Sequence, residues 1–543
     1  MVVSKCFWLV CVVQIICVCL CNADLFCQFE ITKSGVLECS ALGMKFNHLS
    51  SGTEFGEGLT WTWSEVESLW MQDANIMSIG PAVLAKFKNL KHLDLSYNKL
   101  DGLTDNMFLS LTNLRSLKLA NNVISKIEPD AFAGLSNLKQ LDLSHNFLAL
   151  DETLGPNFDV FKSLRILDIS YNIYVDFNAL KFGPSLKTLR AKHMVMSNEN
   201  AMGLDENCFR EMPRLKTLIL SHSKLETIPD KMLDPLNALV MVDLSYNSIT
   251  SPKLPTRLFA RNNTQLNKLV LSHNFLTRLT DQNSFALNKN LKILDLSYNN
   301  LTFLSVRLFA SNTNLVVLSM KKNRLAQIPD KLFDSLSKLQ VLDISENILS
   351  KLTNLIFSKM ARLQTLFLSG NLIKVLHPNT FQQNVLLQEI SLSNNLLESF
   401  PIELIARQSK LMTLNLARNK LRSVKKDLLS NATALIALDI SCNNLTNLPE
   451  GFFEGIKPHT NTVFLSGNPW KCPCISDILG AADDNDVSID SLLFNDGASP
   501  VCMSSGPVNS TKICNDSELP EKDSVAWQRL LSFYPNTCGT KKL

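Results

Sequence analysis

The chain has 543 residues, of which 45% are hydrophobic, 19% are charged and about one in six is leucine. Its 53 basic and 50 acidic side chains leave a net charge of +3, so the whole chain has no large basic excess to drive binding to nucleic acid or to anionic membranes. Wholesale disorder is also unexpected at this hydrophobic content. The leucine excess favours one structural unit repeated many times.

The first 23 residues have the composition of a secretory signal. Lys5 precedes an apolar run over residues 7–21, and the small Ala23 follows at a suitable cleavage point. Such a run forms only about 22 Å of helix, short of the ~30 Å hydrocarbon core of a bilayer. Residues 1–23 are therefore predicted to be a cleaved signal peptide and the protein to be secreted. No later segment has 18 consecutive apolar residues, so no membrane span is expected.

From residue 90 the pattern Leu-x-x-Leu-x-Leu-x-x-Asn-x-Leu recurs, most often every 24 residues. Alternating leucines predict a short strand with one buried face, and neighbouring strands must stack in parallel to cover that face. We therefore predict an α/β solenoid of about 17 repeats with a parallel β-sheet on its concave face. The repeats start at residues 66, 90, 114, 138, 164, 186, 215, 239, 266, 291, 315, 339, 363, 387, 411, 435 and 460.

This pattern resembles the leucine-rich repeat family over roughly three quarters of the chain. The resemblance implies a horseshoe in which the asparagine at the ninth position of each repeat hydrogen bonds to backbone groups of adjacent coils, forming a ladder. Ala74, Met194 and Ser223 replace that asparagine in three repeats. Irregular spacing between residues 138 and 215 indicates either simple drift or an excursion near residues 194–205. Aromatic side chains are expected to fill the convex side, at Phe108, Phe132, Phe259, Phe309, Phe333 and Phe381.

A solenoid exposes apolar core at both ends and needs caps. Before the first repeat, Cys27 and Cys39 predict an N-terminal cap over residues 24–60 closed by one disulfide, so that the repeats occupy residues 61–468.

After the last repeat, residues 468–474 read Asn-Pro-Trp-Lys-Cys-Pro-Cys. This segment resembles the opening of the cysteine-rich C-terminal caps of extracellular family members. The resemblance implies a cap and tail over residues 469–543 in which Cys472 and Cys474 form disulfides with Cys502 and Cys514. The connectivity stays open.

Three further cysteines belong to the predicted mature chain. Cys208 is expected to be a buried, inert thiol. Cys538 either closes the C-terminal cap or pairs with Cys442, unless one of the two joins a partner chain in a disulfide-linked oligomer. Six Asn-x-Ser/Thr acceptors agree with secretion: Asn262, Asn300, Asn431, Asn444, Asn509 and Asn515.

An acid, a hydroxyl and an imidazole come together at Asp142, Ser144 and His145, as in a hydrolase triad. The same Leu-Asp-Leu-Ser phrase recurs with a tyrosine in place of the histidine, so it belongs to the repeat. No nucleophile elbow, metal-binding motif or nucleotide-binding loop is found in the sequence. The chain is therefore predicted not to be an enzyme and to need no cofactor or metal.

The fifth and eighth positions of successive repeats are predicted to point out of the leucine core. Rings recur at the eighth position and aspartates at the fifth, so this edge of the sheet is a candidate ligand surface. Histidines would make binding pH-dependent between about pH 5 and 7. Alternatively, these residues are simply part of the repeat consensus and bind no ligand. The surface comprises Tyr97, His145, Tyr171, His193, His222, Tyr246, His273 and Tyr298, with Asp94, Asp142, Asp168, Asp243 and Asp295.

The whole pattern resembles secreted leucine-rich repeat proteins, the ectodomains of Toll-like receptors and soluble invertebrate immune members of the family. That resemblance implies a binding protein that recognises an extracellular protein or a microbial surface ligand, in innate immunity. A matrix, adhesion or carrier-subunit scaffold is the alternative. Non-covalent oligomers are compatible with either role.

Overall fold

The structure is a computed structural model, and it describes residues 66–150, 158–177, 183–194, 204–229, 231–251, 264–280, 284–454 and 462–489, with Ser64 and five short strands before it. The chain forms two compact units, Met1–Val270 and Leu271–Leu543. The fold within each unit is a parallel-strand β-solenoid, and a strand lies at the predicted place in every predicted repeat. The predicted fold class is therefore confirmed.

In the first unit, each repeat contributes a three-residue strand to one parallel sheet. The strands are in register, so that Leu117 lies beside Leu93 on one side and Leu141 on the other. Leucines at equivalent positions therefore form continuous buried rows, and burial of each is worth about 1.5–3 kcal/mol. The strands are Ser68–Trp70, His92–Asp94, Ser116–Lys118, Gln140–Asp142, Ile166–Asp168, Thr188–Arg190, Thr217–Ile219, Met241–Asp243 and Lys268–Val270.

Antiparallel strands precede the first repeat. Gln28–Ile31 pairs with Leu37–Ser40, which pairs in parallel with Ser68–Trp70. On the other side Gln28–Ile31 pairs with Gln14–Cys17, and that strand pairs with Val10–Cys11. Two strands of the predicted cap, Gln28–Ile31 and Leu37–Ser40, thus extend the sheet beyond its first repeat, whereas Val10–Cys11 and Gln14–Cys17 belong to the segment predicted to be a signal peptide. Cys39 lies in one of these strands, whereas Cys27 lies outside the described residues, so the cap disulfide stays a prediction.

The second unit continues the pattern of parallel strands. Its strands are Ile293–Asp295, Val317–Ser319, Val341–Asp343, Thr365–Phe367, Glu389–Ser391, Thr413–Asn415, Ala437–Asp439 and Thr462–Phe464. A final strand, Ser488–Ile489, pairs with the last of these, after the helix Cys472–Asp483. Among the residues with described structure, no helix is long and apolar enough to cross a membrane.

The second half of each repeat consists of turns and very short elements. Phenylalanines fill this layer as predicted: Phe108 and Phe132 stack with ring centroids 6.2 Å apart, and Phe309, Phe333 and Phe381 are also buried. Phe259 lies outside the described residues. The short strands are His48–Leu49, Ser78–Ile79, Gly102–Leu103, Lys126–Ile127, Ala149–Leu150, Tyr174–Val175, Arg278–Leu279 and Phe303–Leu304; the short helices are Pro81–Leu84, Phe158–Val160, Ile402–Ile405 and Lys426–Leu429.

Buried asparagines at the ninth position join neighbouring coils. The side-chain Nδ2 of Asn347 donates to the carbonyl oxygens of Met320 at 3.0 Å and Ile344 at 3.2 Å, and its Oδ1 accepts from the backbone N–H of Leu325 at 3.0 Å. One amide thereby satisfies backbone groups of two coils that water does not reach. The ladder implied by the family resemblance is present in both units, for example at Asn98, Asn122, Asn146, Asn172, Asn247, Asn323, Asn371 and Asn443.

The three repeats without this asparagine differ in their outcome. The Ser223 hydroxyl donates to the carbonyls of Ala191 and Ser221, both at 3.2 Å, and so replaces part of the amide's function. Ala74 instead donates its backbone N–H to Asn98 Oδ1 at 3.0 Å. Met194 is buried and apolar, so its side chain makes no ladder bond. The excursion predicted after it falls mostly on residues 195–203, outside the described residues.

Replacing one ladder amide by an apolar side chain of similar size should destabilise the second unit. Asn347→Leu leaves the Leu325 N–H and the Met320 carbonyl buried without their partner, and each unmet group costs about 1–3 kcal/mol. Urea unfolding should show a loss of at least ~2 kcal/mol. The exposed Asn354→Leu serves as the control, and equal unfolding curves for the two variants would contradict a structural role for the ladder.

Candidate ligand-binding surface

The side chains at the eighth position lie where each strand ends, and we call the rings at this position the ring row. In the first unit the ring row comprises Tyr97, His145, Tyr171, His193, His222 and Tyr246, all with φ between 52° and 60°. This left-handed backbone lets the chain turn so that the next residue points inward; that residue is the ladder asparagine in four of these repeats, Met194 after His193 and Ser223 after His222. Asparagine or glycine adopts it more easily, as Asn121, Gly370 and Asn394 do at the same position.

Backbone hydrogen bonds fix the spacing of the ring row. The N–H of Tyr171 donates to the carbonyl of Lys192 at 2.7 Å, and the N–H of His193 donates to that of Ser221 at 2.9 Å. Each such bond joins the eighth position of one coil to the seventh position of the next. Adjacent rings are therefore held about one strand spacing, ~4.8 Å, apart.

At that spacing the rings stack. The centroids of His145 and Tyr171 are 4.1 Å apart with planes at 11°, and those of His222 and Tyr246 are 4.0 Å apart at 11°. Between them His193 lies 5.0 Å from Tyr171 and 5.9 Å from His222. The sequence placed these side chains in one row, and the structure shows neighbouring ring contacts from His145 to Tyr246 that are stacked at every step except between His193 and His222, where the planes are tilted by 46°.

Stacking offsets the backbone cost of this position. A left-handed residue with a side chain costs about 1–2 kcal/mol, and a stacked ring pair returns about 0.5–1.5 kcal/mol. The rings therefore hold one another in place before any ligand arrives. A partner that contacts preordered side chains loses less conformational entropy on binding.

Exposed apolar side chains accompany the ring row two residues further along the chain. Phe147 is 54% exposed and Ile173 is 41% exposed, next to His145 and Tyr171 respectively, and Val123 in the preceding coil is 41% exposed. Sequence reasoning missed them because the tenth position of the repeat is variable. The sequence does show a large apolar residue at the tenth position of three successive repeats, and this pattern could have predicted them. Neighbouring exposed apolar side chains mark an interaction surface.

The aspartates at the fifth position have bonds within their own turns. In all five predicted members Oδ1 accepts from the backbone N–H of the serine two residues later, at 2.9–3.0 Å: Asp94, Asp142, Asp168, Asp243 and Asp295. Asp94 departs from the expectation of a ligand contact. Its side chain is buried, its Oδ2 accepts from Gln72 at 2.6 Å, and that atom lies 3.1 Å from Lys118 Nζ.

The triad-like residues form part of the repeat architecture. The Ser144 hydroxyl donates to Asp142 at 2.6 Å, while the His145 ring stacks on Tyr171. Hydroxyl and aspartate are joined in the same way at Ser245, Ser345 and Ser441. A bond that recurs in four repeats is explained by the turn it closes.

His222 has the most perturbed imidazole of the ring row. Burial lowers the pKa of His222, and the charge of His193 lowers it further. Lys192 acts in the same direction, whereas Asp243 opposes the shift. Neutral His222 is therefore the form that the folded stack favours.

The second unit has a shorter row of its own. His273 and Tyr298 stack at 4.0 Å, and the Lys322 Nζ lies 4.9 Å from the centre of the Tyr298 ring. Lys321 pairs with Glu346 at 3.1 Å, and this hydrogen bond raises the pKa of Lys321. From residue 322 onward the eighth position of the described repeats thus holds no ring: it is charged at Lys322, Glu346 and Arg418 and uncharged at Gly370, Asn394 and Cys442.

The predicted modification sites are described only in part. Asn431 is exposed, and Asn300 and Asn444 are half-buried at tenth positions. Cys442 is half-buried and disulfide-bonded, with its partner outside the side chains that the structure describes. Asn262, Asn509, Asn515, Cys502, Cys514 and Cys538 lie outside the described residues, as do the side chains of Cys472 and Cys474. Glycosylation and the cap disulfides stay predictions.

Cys208 should resist alkylation in the folded protein. Its buried thiol donates to the carbonyl of Asp205 at 3.2 Å, and burial raises the pKa of Cys208 to about 12. Since the thiolate is the reactive form, iodoacetamide at pH 8 should leave Cys208 unmodified until denaturant is added. Peptide mapping reads this out, and stoichiometric labelling of Cys208 without denaturant would contradict it.

Sequence comparison finds the family model described as "Leucine rich repeat" in residues 64–124, 88–148, 191–249, 264–325, 313–373, 339–397 and 409–469. Among curated proteins, human Podocan-like protein 1 is 33% identical over 144 residues, covering 26% of this chain and 26% of that protein. Chaoptin of Drosophila melanogaster is 28% identical over 156 residues, 25% of this chain and 12% of its own length. Mouse Podocan is 28% identical over 286 residues, 52% of this chain and 38% of its own length. The chain thus spans well under half the length of these relatives.

Solved structures share the architecture. Toll in its complex with Spatzle, from Drosophila, superposes with a TM-score of 0.65 at 18% identity, over 90% of this chain and 72% of that one. A leucine-rich repeat protein of Leptospira interrogans gives 0.59 at 25% identity, over 79% and 96%. A plant peptide hormone receptor bound to its hormone gives 0.52 at 21%, over 81% and 74%. With family matches across most of the repeats and the amide ladder in both units, the chain belongs to the leucine-rich repeat family.

Proposed function

We propose that this chain is a secreted binding protein that captures an extracellular protein ligand on the ring row of its first unit, in innate immune recognition. The observation that carries the proposal is the stack from His145 to Tyr246 with exposed Phe147 and Ile173 beside it. Aromatic and apolar anchors of this kind contribute most of the binding energy at protein interfaces.

The size of the surface supports a protein ligand. Rings in five successive coils at ~4.8 Å extend over about 19 Å, which is long for a small molecule and suits a polypeptide. The exposed surface is also open along its length and carries its apolar groups at intervals, whereas small-molecule sites are enclosed clefts.

Two structural neighbours suggest the setting. Toll was solved with Spatzle in a complex whose description names development and innate immunity, and the plant receptor was solved with a peptide hormone. Both are proteins of this architecture bound to protein or peptide partners. For this chain an immune role is the proposal, and a matrix or adhesion scaffold is the outcome that the test below must separate from it.

Site-specific photo-cross-linking tests the proposal. A benzoylphenylalanine at position 147 should form discrete adducts with a protein of the native extracellular fluid, because Phe147 is exposed beside the stack. The same probe at Val375, an apolar residue 72% exposed in the second unit, is the matched control. Excess unlabelled protein should compete the adduct away, whereas excess Tyr171→Ala protein should compete at least ~10-fold less well, the loss expected of an interface anchor.

Identical adducts at both probe positions, or equal competition by the Tyr171→Ala protein, would overturn binding at the ring row. Deposition of the chain in an insoluble matrix fraction, unaffected by Tyr171→Ala, would favour the scaffold role instead.

Acidification should destabilise the first unit through His222. Because the pKa of His222 is lowered by burial and by the neighbouring positive charges, its contribution to stability is present above the unfolded pKa of about 6.5 and is lost as pH falls through the folded pKa. Thermal unfolding temperatures should therefore fall less steeply between pH 7 and pH 5 in His222→Gln than in the wild type. His377→Gln, at an exposed histidine of the second unit, should follow the wild type, and parallel curves for all three proteins would refute the prediction.

A further inference from the structure

A second row of similar side chains lies in the first unit at the second position of each repeat. This position comes directly before each strand, whereas the ring row lies after each strand. In six successive repeats this residue is basic, and we call the set the basic row: Lys91, Arg115, Lys139, Arg165, Lys187 and Lys216. The first repeat has Glu67 at this position, and Val240 follows the last member of the row. The row therefore has two defined ends.

Backbone hydrogen bonds align this row as they align the rings. The N–H of Lys139 donates to the carbonyl of Arg115, and the N–H of Arg165 donates to that of Lys139, both at 2.8 Å. The same bond links Lys187 to Arg165 and Lys216 to Lys187. Consecutive cations therefore start about 4.8 Å apart, and the row is about 24 Å long.

Within each of these repeats, the short segment around the basic row carries a single sign of charge. We call the five residues from two before the start of each of these repeats to its third position the basic strip. Apart from histidine, every charged residue in the basic strip is a lysine or arginine, and Lys88, Lys162 and Arg214 add to the row. Arg115, Lys139, Arg165 and Lys216 are exposed. Such a one-signed strip raises the local concentration of anions.

Few of these cations are neutralised within the protein. Lys91 pairs with Glu67. Over the described ranges, no carboxylate forms an ion pair with the other five members. At the fifth position of the same coils, Asp142 and Asp168 accept hydrogen bonds from serine N–H groups. Asp168 also lies 3.7 Å from Arg190, and Asp94 pairs with Lys118. The charges of the basic row are thus directed to solvent.

The geometry points to a linear sulfated polysaccharide as the ligand of the basic row. A single straight row of evenly spaced cations matches one flexible chain with repeating anionic groups. Arg115 and Arg165 present planar forks that can hold a sulfate through two hydrogen bonds, with lysines between them as point charges.

Other polyanions fit less well. The basic strip of each of these six repeats, five residues long, has no Phe, Tyr or Trp on which the bases of a single-stranded nucleic acid could stack. It has one line of cations, whereas a duplex offers two phosphate strands and a membrane offers a plane. A folded protein ligand would need apolar anchors, which lie on the ring row instead.

Heparin octasaccharide is the probe for the test, measured by calorimetry at several NaCl concentrations. The variant Arg115→Gln/Lys139→Gln/Arg165→Gln should bind at least ~10-fold more weakly at 150 mM NaCl, with a shallower dependence on salt because fewer counterions are displaced. The control Lys351→Gln/Lys374→Gln/Lys410→Gln removes three exposed charges from the second unit and should bind as the wild type does. Unchanged unfolding curves should show that both variants fold.

Equal affinities of the two triple variants would overturn the basic row as the site. Tighter binding of duplex DNA or of phosphatidylserine vesicles than of heparin would overturn the choice of ligand, as would equal binding of desulfated heparin. Phe147→Ser, beside the ring row, adds no charge and should leave heparin affinity unchanged, so this test succeeds or fails independently of the proposed protein ligand.

Discussion

The buried amide ladder is the interaction on which the surface chemistry of this protein depends. Where an asparagine points inward at the ninth position, the residue before it turns outward with a left-handed backbone, as at His145 before Asn146, and the same turn is kept at His193 and His222 before Met194 and Ser223. Repetition of that turn in consecutive coils brings the outward side chains into register. The ring row is thus a geometric consequence of satisfying buried backbone groups, and its rings add stacking energy to a position that would otherwise favour asparagine or glycine.

Two rows with different chemistry flank the strands of the sheet, one where the strands begin and one where they end. At the start of the strands, cations such as Lys139 and Arg165 are exposed and form no ion pair with a described carboxylate. At the ends of the strands, rings such as Tyr171 stack beside apolar Phe147. Long-range charge attraction depends on salt and suits a flexible polyanion, whereas ring and apolar contacts act at short range and suit a shaped protein surface. One repeat can present both a cation and a ring because its second position lies before the strand and its eighth position lies after it.

Much of this architecture could be predicted from sequence because the period of the leucines fixes strands and inward faces. Other features depended on partners far away in sequence. Nothing local shows that Ser223 replaces a ladder amide, that Asp94 is buried by Gln72 and Lys118, or that His145 and Tyr171 stack. An alignment of equivalent positions of the repeats could have predicted both the exposed Phe147 and the basic row. The net charge of +3 concealed the basic row because acids elsewhere in the chain cancel it in the total.

Hydrogen–deuterium exchange on the protein with and without the partner cross-linked at residue 147 tests most directly whether the ladder-fixed ring row is a binding surface. If the ring row binds the partner, exchange should slow in the turns around His145, Tyr171 and His222, the peptides in which the eighth and tenth positions lie. Slower exchange confined to the second unit, or none in these turns, would contradict it.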